Sequence, residues 1–143
     1  MSKVLVVDDS ATMRKIVIKG AKGAAATAGK AEPEFVEAGD GSEAIETLAK
    51  VEGIDLVLCD INMPNMDGIE FVACVRDQKK LEERNVGDKS LLKRVGNTVP
   101  IIMITTEGGL EKVQEALTAG ANDYLKKPFT PEQLAEKIGS YLS

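Results

Sequence analysis

Five times along this 143-residue chain, a short apolar run gives way to a stretch whose apolar residues recur at helical spacing. That alternation constrains the fold more than any other feature. A continuous apolar run suits a strand covered on both faces, whereas a half-exposed strand would alternate with polar residues. Residues 3–7 (KVLVV) read as such a strand, and Ser10 then caps a helix carrying Met13, Ile16, Val17 and Ala21. Residues 34–38 form a second strand, followed by the turn Gly39-Asp40-Gly41 and a helix with Ala44, Ile45, Leu48 and Val51. Residues 54–59 (IDLVLC) are the third strand, and Gly68 opens a helix bearing Ile69, Val72 and Val75. Residues 100–105 (PIIMIT) are the fourth, with Leu110, Val113 and Leu117 marking a helix that Gly120 ends. Residues 123–126 are the fifth, and Leu134, Ile138, Tyr141 and Leu142 define the last helix. Five such units predict an α/β fold: a parallel sheet with helices on both faces.

Two stretches give weak signals. Residues 20–31 are rich in Ala, Gly and Lys, and residues 77–97 are charged with no steady period. The second carries six basic residues (Lys79, Lys80, Arg84, Lys89, Lys93, Arg94) against four acids (Asp77, Glu82, Glu83, Asp88) in a chain of net charge −5. It reads either as a solvated helix extension or as a docking arm for an acidic partner, helped by Leu91-Leu92.

Composition removes several classes of function. With 18 basic and 23 acidic side chains, there is no excess of positive charge to hold nucleic-acid phosphates. Histidine is absent, which excludes Ser-His-Asp and Cys-His nucleophiles and every histidine metal site. Cys59 and Cys74 lie fifteen positions apart without a CxxC context, so reduced thiols are expected. No apolar run approaches the roughly 20 residues of a membrane span, and the opening MSKVLVVDDS lacks a signal-peptide pattern. A cytoplasmic protein that binds neither membrane nor nucleic acid is the expectation.

Open parallel sheets bind ligands beyond the carboxyl ends of their strands. The residues expected there are Asp8-Asp9, Asp60, Thr105 and Lys127. Singly, each has an ordinary explanation: a cap, a turn, a β-branched strand residue, a solvated lysine. Together they point elsewhere. Three carboxylates on one sheet edge repel one another unless a cation sits among them, and all-oxygen ligation suits Mg²⁺. Pro128 pushes Lys127 out of helical backbone, so the lysine stays at the strand end and serves as a point charge for the acids or for a phosphoryl group. The G-x-G-x-x-A run at residues 39–44 imitates a dinucleotide fingerprint, but that reading leaves Asp8-Asp9, Thr105 and Lys127 unexplained.

VLVVDDS, LCDINMPNMDG, IIMITT and YLKKPF, in that order, resemble the receiver domain of two-component response regulators, over essentially the whole chain. The opening VVDDSATMRKIV is most similar to single-domain chemotaxis-type regulators. The resemblance implies a flavodoxin-like, doubly wound five-stranded sheet of order 2-1-3-4-5, one receiver domain over residues 1–143 with insertions near 20–31 and 77–97. It implies Asp60 as phosphoacceptor. Asp9 would ligate Mg²⁺ directly and Asp8 mainly through water, with Asp60 and the backbone carbonyl of Asn62 completing the metal shell. Lys127, Thr105 and Thr106 would stabilise the phosphoryl group, Thr105 and Tyr124 would form the switch, and Asn62 and Glu107 would tune the signal's lifetime.

The implied phosphodonor is a sensor histidine kinase. The implied output is a downstream protein, such as a flagellar motor switch, met by the fourth helix, fifth strand and fifth helix of a monomer. The chain would be no enzyme beyond its own phosphorylation and slow dephosphorylation. Thr106 stands where the family usually has Ala or Gly. A phosphorelay intermediate or a non-motility regulator fits the same residues. An aspartate-nucleophile phosphatase fits less well, since it wants a proton-donating acid at position 62, and a phosphorylation-independent scaffold usually lacks one of the site residues.

Overall fold

The computed structural model describes residues 2–83, 90, 98–105 and 110–142. Five strands form one sheet: β1 (Lys3–Val7), β2 (Glu34–Ala38), β3 (Leu56–Cys59), β4 (Ile101–Thr105) and β5 (Asp123–Lys126). All neighbours are parallel, and the order is β2-β1-β3-β4-β5, as expected. The helices between them are α1 (Ala11–Thr27), α2 (Gly41–Lys50), α3 (Gly68–Arg76), a short α4 (Gln78–Glu82), α5 (Leu110–Ala119) and α6 (Pro131–Ile138).

Because successive strand side chains point to opposite faces, each apolar run feeds two cores. Leu5, Val7, Val57, Cys59, Ile101 and Met103 face α2, α3 and α5 and enclose Ile45, Phe71, Val72 and Ala116. Val4, Val6, Leu56, Leu58, Ile102 and Ile104 face α1 and α6 and enclose Val17, Ala21, Leu134 and Ile138. This double coverage is why β1, β3 and β4 read as unbroken apolar stretches.

Helix starts follow local chemistry. Ser10, Asp40, Asp67 and Thr130 each accept a hydrogen bond from the backbone N–H three residues on, and Thr130 and Gln133 form a reciprocal capping box ahead of Pro131.

Two elements fill in stretches of weak sequence signal. Helix α1 continues through Gly20 and Gly23 to Thr27, where a weak signal was expected. Packing outweighs glycine's poor propensity here. A Cβ at Gly20 would come within 2.8 Å of the Phe129 ring, and Ala21, Ala24 and Ala25 are buried beside α6. Small residues thus let the two helices approach. Gly29, at φ 71°, then closes the helix as Lys30 N–H reaches the Ala25 carbonyl at 2.8 Å. Within the charged stretch, α4 forms one turn, its start held by Asp77 Oδ1 accepting from Lys79 N–H at 3.0 Å.

Candidate functional site

The strand order reverses between β1 and β3: one connection leads from β1 out to β2, the next crosses back to β3. Asp8-Asp9 follow β1 and Asp60 follows β3, so the chain delivers its carboxylates to the crevice at that reversal. One oxygen from each of Asp8, Asp9 and Asp60 lies within 4.8 Å of the others. The backbone ties the two strand ends together, Asp60 N–H donating to the Val7 carbonyl at 2.9 Å.

Asp8 is the buried member. Its Oδ2 accepts from Lys127 Nζ at 3.0 Å, and the two side chains are only 4% and 7% exposed. Its Oδ1 accepts from Ser10 N–H at 3.0 Å. Asp9 is exposed and has no hydrogen-bond or ionic partner among the described residues. Asp60 lies between these extremes, with Oδ1 accepting from Ile61 N–H at 2.9 Å. Burial lifts its carboxyl from an ordinary 3.8 to about 6; Lys127 opposes that rise, and Asp8 and Asp9 add to it. A cation would relieve this repulsion, and the all-oxygen donor set fits a small hard ion such as Mg²⁺.

Thr105 is fully buried at the end of β4, and its carbonyl accepts from Lys127 N–H at 2.8 Å. That bond keeps Lys127 in register beyond β5, from where its ammonium reaches Asp8. Tyr124 lies on β5 opposite Met103, 37% exposed, with Lys137 Nζ 5.6 Å from its ring centroid. The same ammonium bonds Asp123 at 3.2 Å. Asn62 sits in the exposed loop two residues past Asp60. Thr106 and Glu107 lie outside the described residues, as does most of 77–97. Neither cysteine forms a disulfide and both are buried, and burial pushes the Cys59 thiol well above its usual range, which favours the unreactive protonated form.

The structure adds residues that spacing did not reveal. Gly68 packs where a Cβ would collide with the Asp60 carbonyl and stand 2.8 Å from Met103, so only glycine lets α3 start against the Asp60 loop. Gly41, part of the dinucleotide look-alike, is small because a Cβ would meet Met66 at 2.7 Å. Arg14 donates to the Asp8 carbonyl and to Glu37. In the sequence Arg14 is one basic residue of a helix that also carries Lys15, Lys19 and Lys22, with nothing to mark it out.

A doubly wound parallel sheet with three clustered carboxylates and a buried lysine at its reversal point defines a receiver-type signalling module. The comparisons agree: the response regulator receiver domain family matches residues 4–86 and 89–139. The chain belongs to that family. It is 42% identical over 140 residues to a chemotaxis protein CheY homolog of Campylobacter jejuni, covering 98% of this chain and 92% of that one. It is 40% identical over 136 residues to chemotaxis protein CheY1 of Helicobacter pylori, covering 95% and 93%. The solved structure of Vibrio cholerae chemotaxis protein CheY4 superposes with a TM-score of 0.71 at 37% identity, over 99% of both chains.

Proposed function

We propose that this chain is a phosphoacceptor response regulator that takes a phosphoryl group from a sensor histidine kinase onto Asp60. One observation carries the reading: Asp8, Asp9 and Asp60 converge at the reversal of strand order, with Lys127 buried beside them. Asp8, Asp9, Asp60 and the Asn62 carbonyl would hold Mg²⁺, which when bound neutralises charge on the transferring phosphoryl oxygens. The chain's own part is positioning. With Oδ1 of Asp60 engaged by the Ile61 N–H, Oδ2 is the oxygen that attacks phosphorus in line. The new P–O bond replaces the P–N bond to the donor's histidine, so no histidine is needed here. Lys127, anchored on Asp8, supplies fixed positive charge beside the developing one.

The acyl phosphate then draws the Thr105 hydroxyl and the Thr106 amide toward it, and Tyr124 moves from its exposed position into the space vacated. The altered α5-β5-α6 face presents the signal to a downstream protein. The likeness to chemotaxis proteins supports a role in motility, with a flagellar motor switch as target. The protein would act as a cytoplasmic monomer, one receiver domain over residues 1–143 with insertions near 20–31 and 77–97. No helix among the described residues is long and apolar enough to cross a membrane. Against a phosphatase stands Asn62, which offers no proton at the position where hydrolysis wants an acid. Acetyl phosphate with Mg²⁺ should add one hydroxylamine-labile phosphoryl group that Asp60→Asn abolishes; full labelling of that variant refutes the assignment.

A further inference from the structure

All four polar positions of Asp8 are held. Its N–H donates to the Ala38 carbonyl at 3.1 Å, Oδ1 accepts from Ser10 N–H, and Oδ2 accepts from Lys127. The fourth partner is unusual for a strand end. The Asp8 carbonyl accepts from Arg14 Nη1 at 2.6 Å, a charge-assisted bond where water or a backbone N–H would serve. Arg14 is itself aimed: its Nε donates to Glu37 Oε1 at 2.9 Å, and its side chain is only 19% exposed. Glu37 lies on β2 next to Ala38, the residue that receives the Asp8 N–H.

The carbonyl so engaged belongs to the peptide that leads into Asp9. Asp9 is exposed and no hydrogen bond to its carboxylate is made among the described residues, so the place from which that carboxylate can reach an ion is set by its backbone, and hence by that peptide plane. Arg14 grips the plane from α1 while β2 supplies both the grip on the Asp8 N–H and, through Glu37, the aim of the guanidinium.

We propose that Arg14, aimed by Glu37, is a positioning residue for the acidic site: it fixes the Asp8–Asp9 peptide so that the Asp9 carboxylate is presented to a divalent cation. It touches neither ion nor phosphoryl group. The inference rests on the Mg²⁺ reading above and adds to it a device linking β2 and α1 to the site. A plain helix-to-strand tie would lower stability on removal without altering the affinity of the folded protein for metal.

The test is calorimetric titration of Mg²⁺ into the full chain, paired with thermal melting in chelator. Arg14→Met should weaken Mg²⁺ binding ~10-fold, the lower end expected for groups that orient ligands. Arg14→Lys should recover a good part of that loss, because an ammonium still donates to the carbonyl while losing the fork that spans to Glu37. Glu37→Ala, on the exposed edge strand, should weaken binding in the same direction by less, and it decides the matter if Arg14→Met does not fold. Unchanged Mg²⁺ affinity in a folded Arg14→Met or in Glu37→Ala overturns the proposal, as does Arg14→Lys binding no better than Arg14→Met. A wild-type chain that binds no Mg²⁺ refutes the site reading and this inference together, whereas wild-type binding with unshifted variants refutes this inference alone.

Discussion

Replacing Asp60 by Asn should make the metal-free protein more stable at neutral pH, although it removes the proposed phosphoacceptor. The carboxyl is raised from 3.8 to about 6, mainly by burial, with Asp8 and Asp9 contributing. The folded state therefore holds its proton more tightly than the unfolded chain does. Well below pH 3.8 both states are protonated and Asp60 costs nothing. Between pH 4 and 6 only the unfolded chain ionises, so stability falls as pH rises; above pH 6 the whole penalty applies. The gap between the two values corresponds to roughly 3 kcal/mol. Because the carboxylate is only half-buried, solvent screening reduces that to about 1–1.5 kcal/mol. Asparagine keeps an acceptor for the Ile61 N–H and removes the charge, so little else changes. For a chain of this length the gain amounts to about 3–5 °C in Tm. Melting followed by circular dichroism in chelator should show Asp60→Asn above wild type at pH 7.5 and level with it at pH 4. Added Mg²⁺ should raise the wild type and close the gap. A variant no more stable at pH 7.5, or a difference that does not vary with pH, would refute the argument.

Four further outcomes are expected, three from the same geometry and the last, at Glu107, from the resemblance alone. Asp8→Ala leaves Lys127 buried without its carboxylate and should cost about 3–5 kcal/mol in denaturant unfolding, whereas the exposed Asp9→Ala should cost little. Mg²⁺ titration of the same pair should rank the other way, because both Asp8 oxygens are already engaged within the protein; a larger affinity loss for Asp8 would reverse the assigned roles. Gly68→Ala forces a methyl group against the Asp60 carbonyl and should destabilise by about 1–3 kcal/mol while slowing acetyl phosphate labelling, and normal labelling with normal stability would show that the loop yields freely. Glu107→Ala should change the decay of the phosphorylated form without changing Mg²⁺ affinity, and an unaltered decay rate would reduce that position to an ordinary loop residue.

Much of this molecule is legible locally. A doubly covered strand needs apolar residues on both faces, so β1, β3 and β4 stand out as unbroken runs, and the polar residue ending each run marks the sheet's carboxyl edge. The cap Ser10 acts within three residues of itself and is equally readable, whereas Asp67 and Thr130, which cap in the same way, emerge only from the structure. Strand bounds shift slightly, β3 beginning at Leu56 and not at residue 54, because edge residues belong to the ladder only when a neighbour pairs with them.

What the tertiary structure alone decides involves partners far apart in the chain. Lys127 finds Asp8 across 119 positions only because β5, β4, β3 and β1 lie in that order. Helix α1 runs through two glycines because Phe129 and α6 pack against it, an energy that no local propensity contains. Gly68 and Arg14 owe their places to the Asp60 and Asp8 carbonyls, and a glycine or an arginine in a sequence does not say which backbone it will meet. Residue chemistry and periodicity act over a few positions and are written along the chain; close approach and charge pairing act through space, and exist only once the sheet has set its strands side by side.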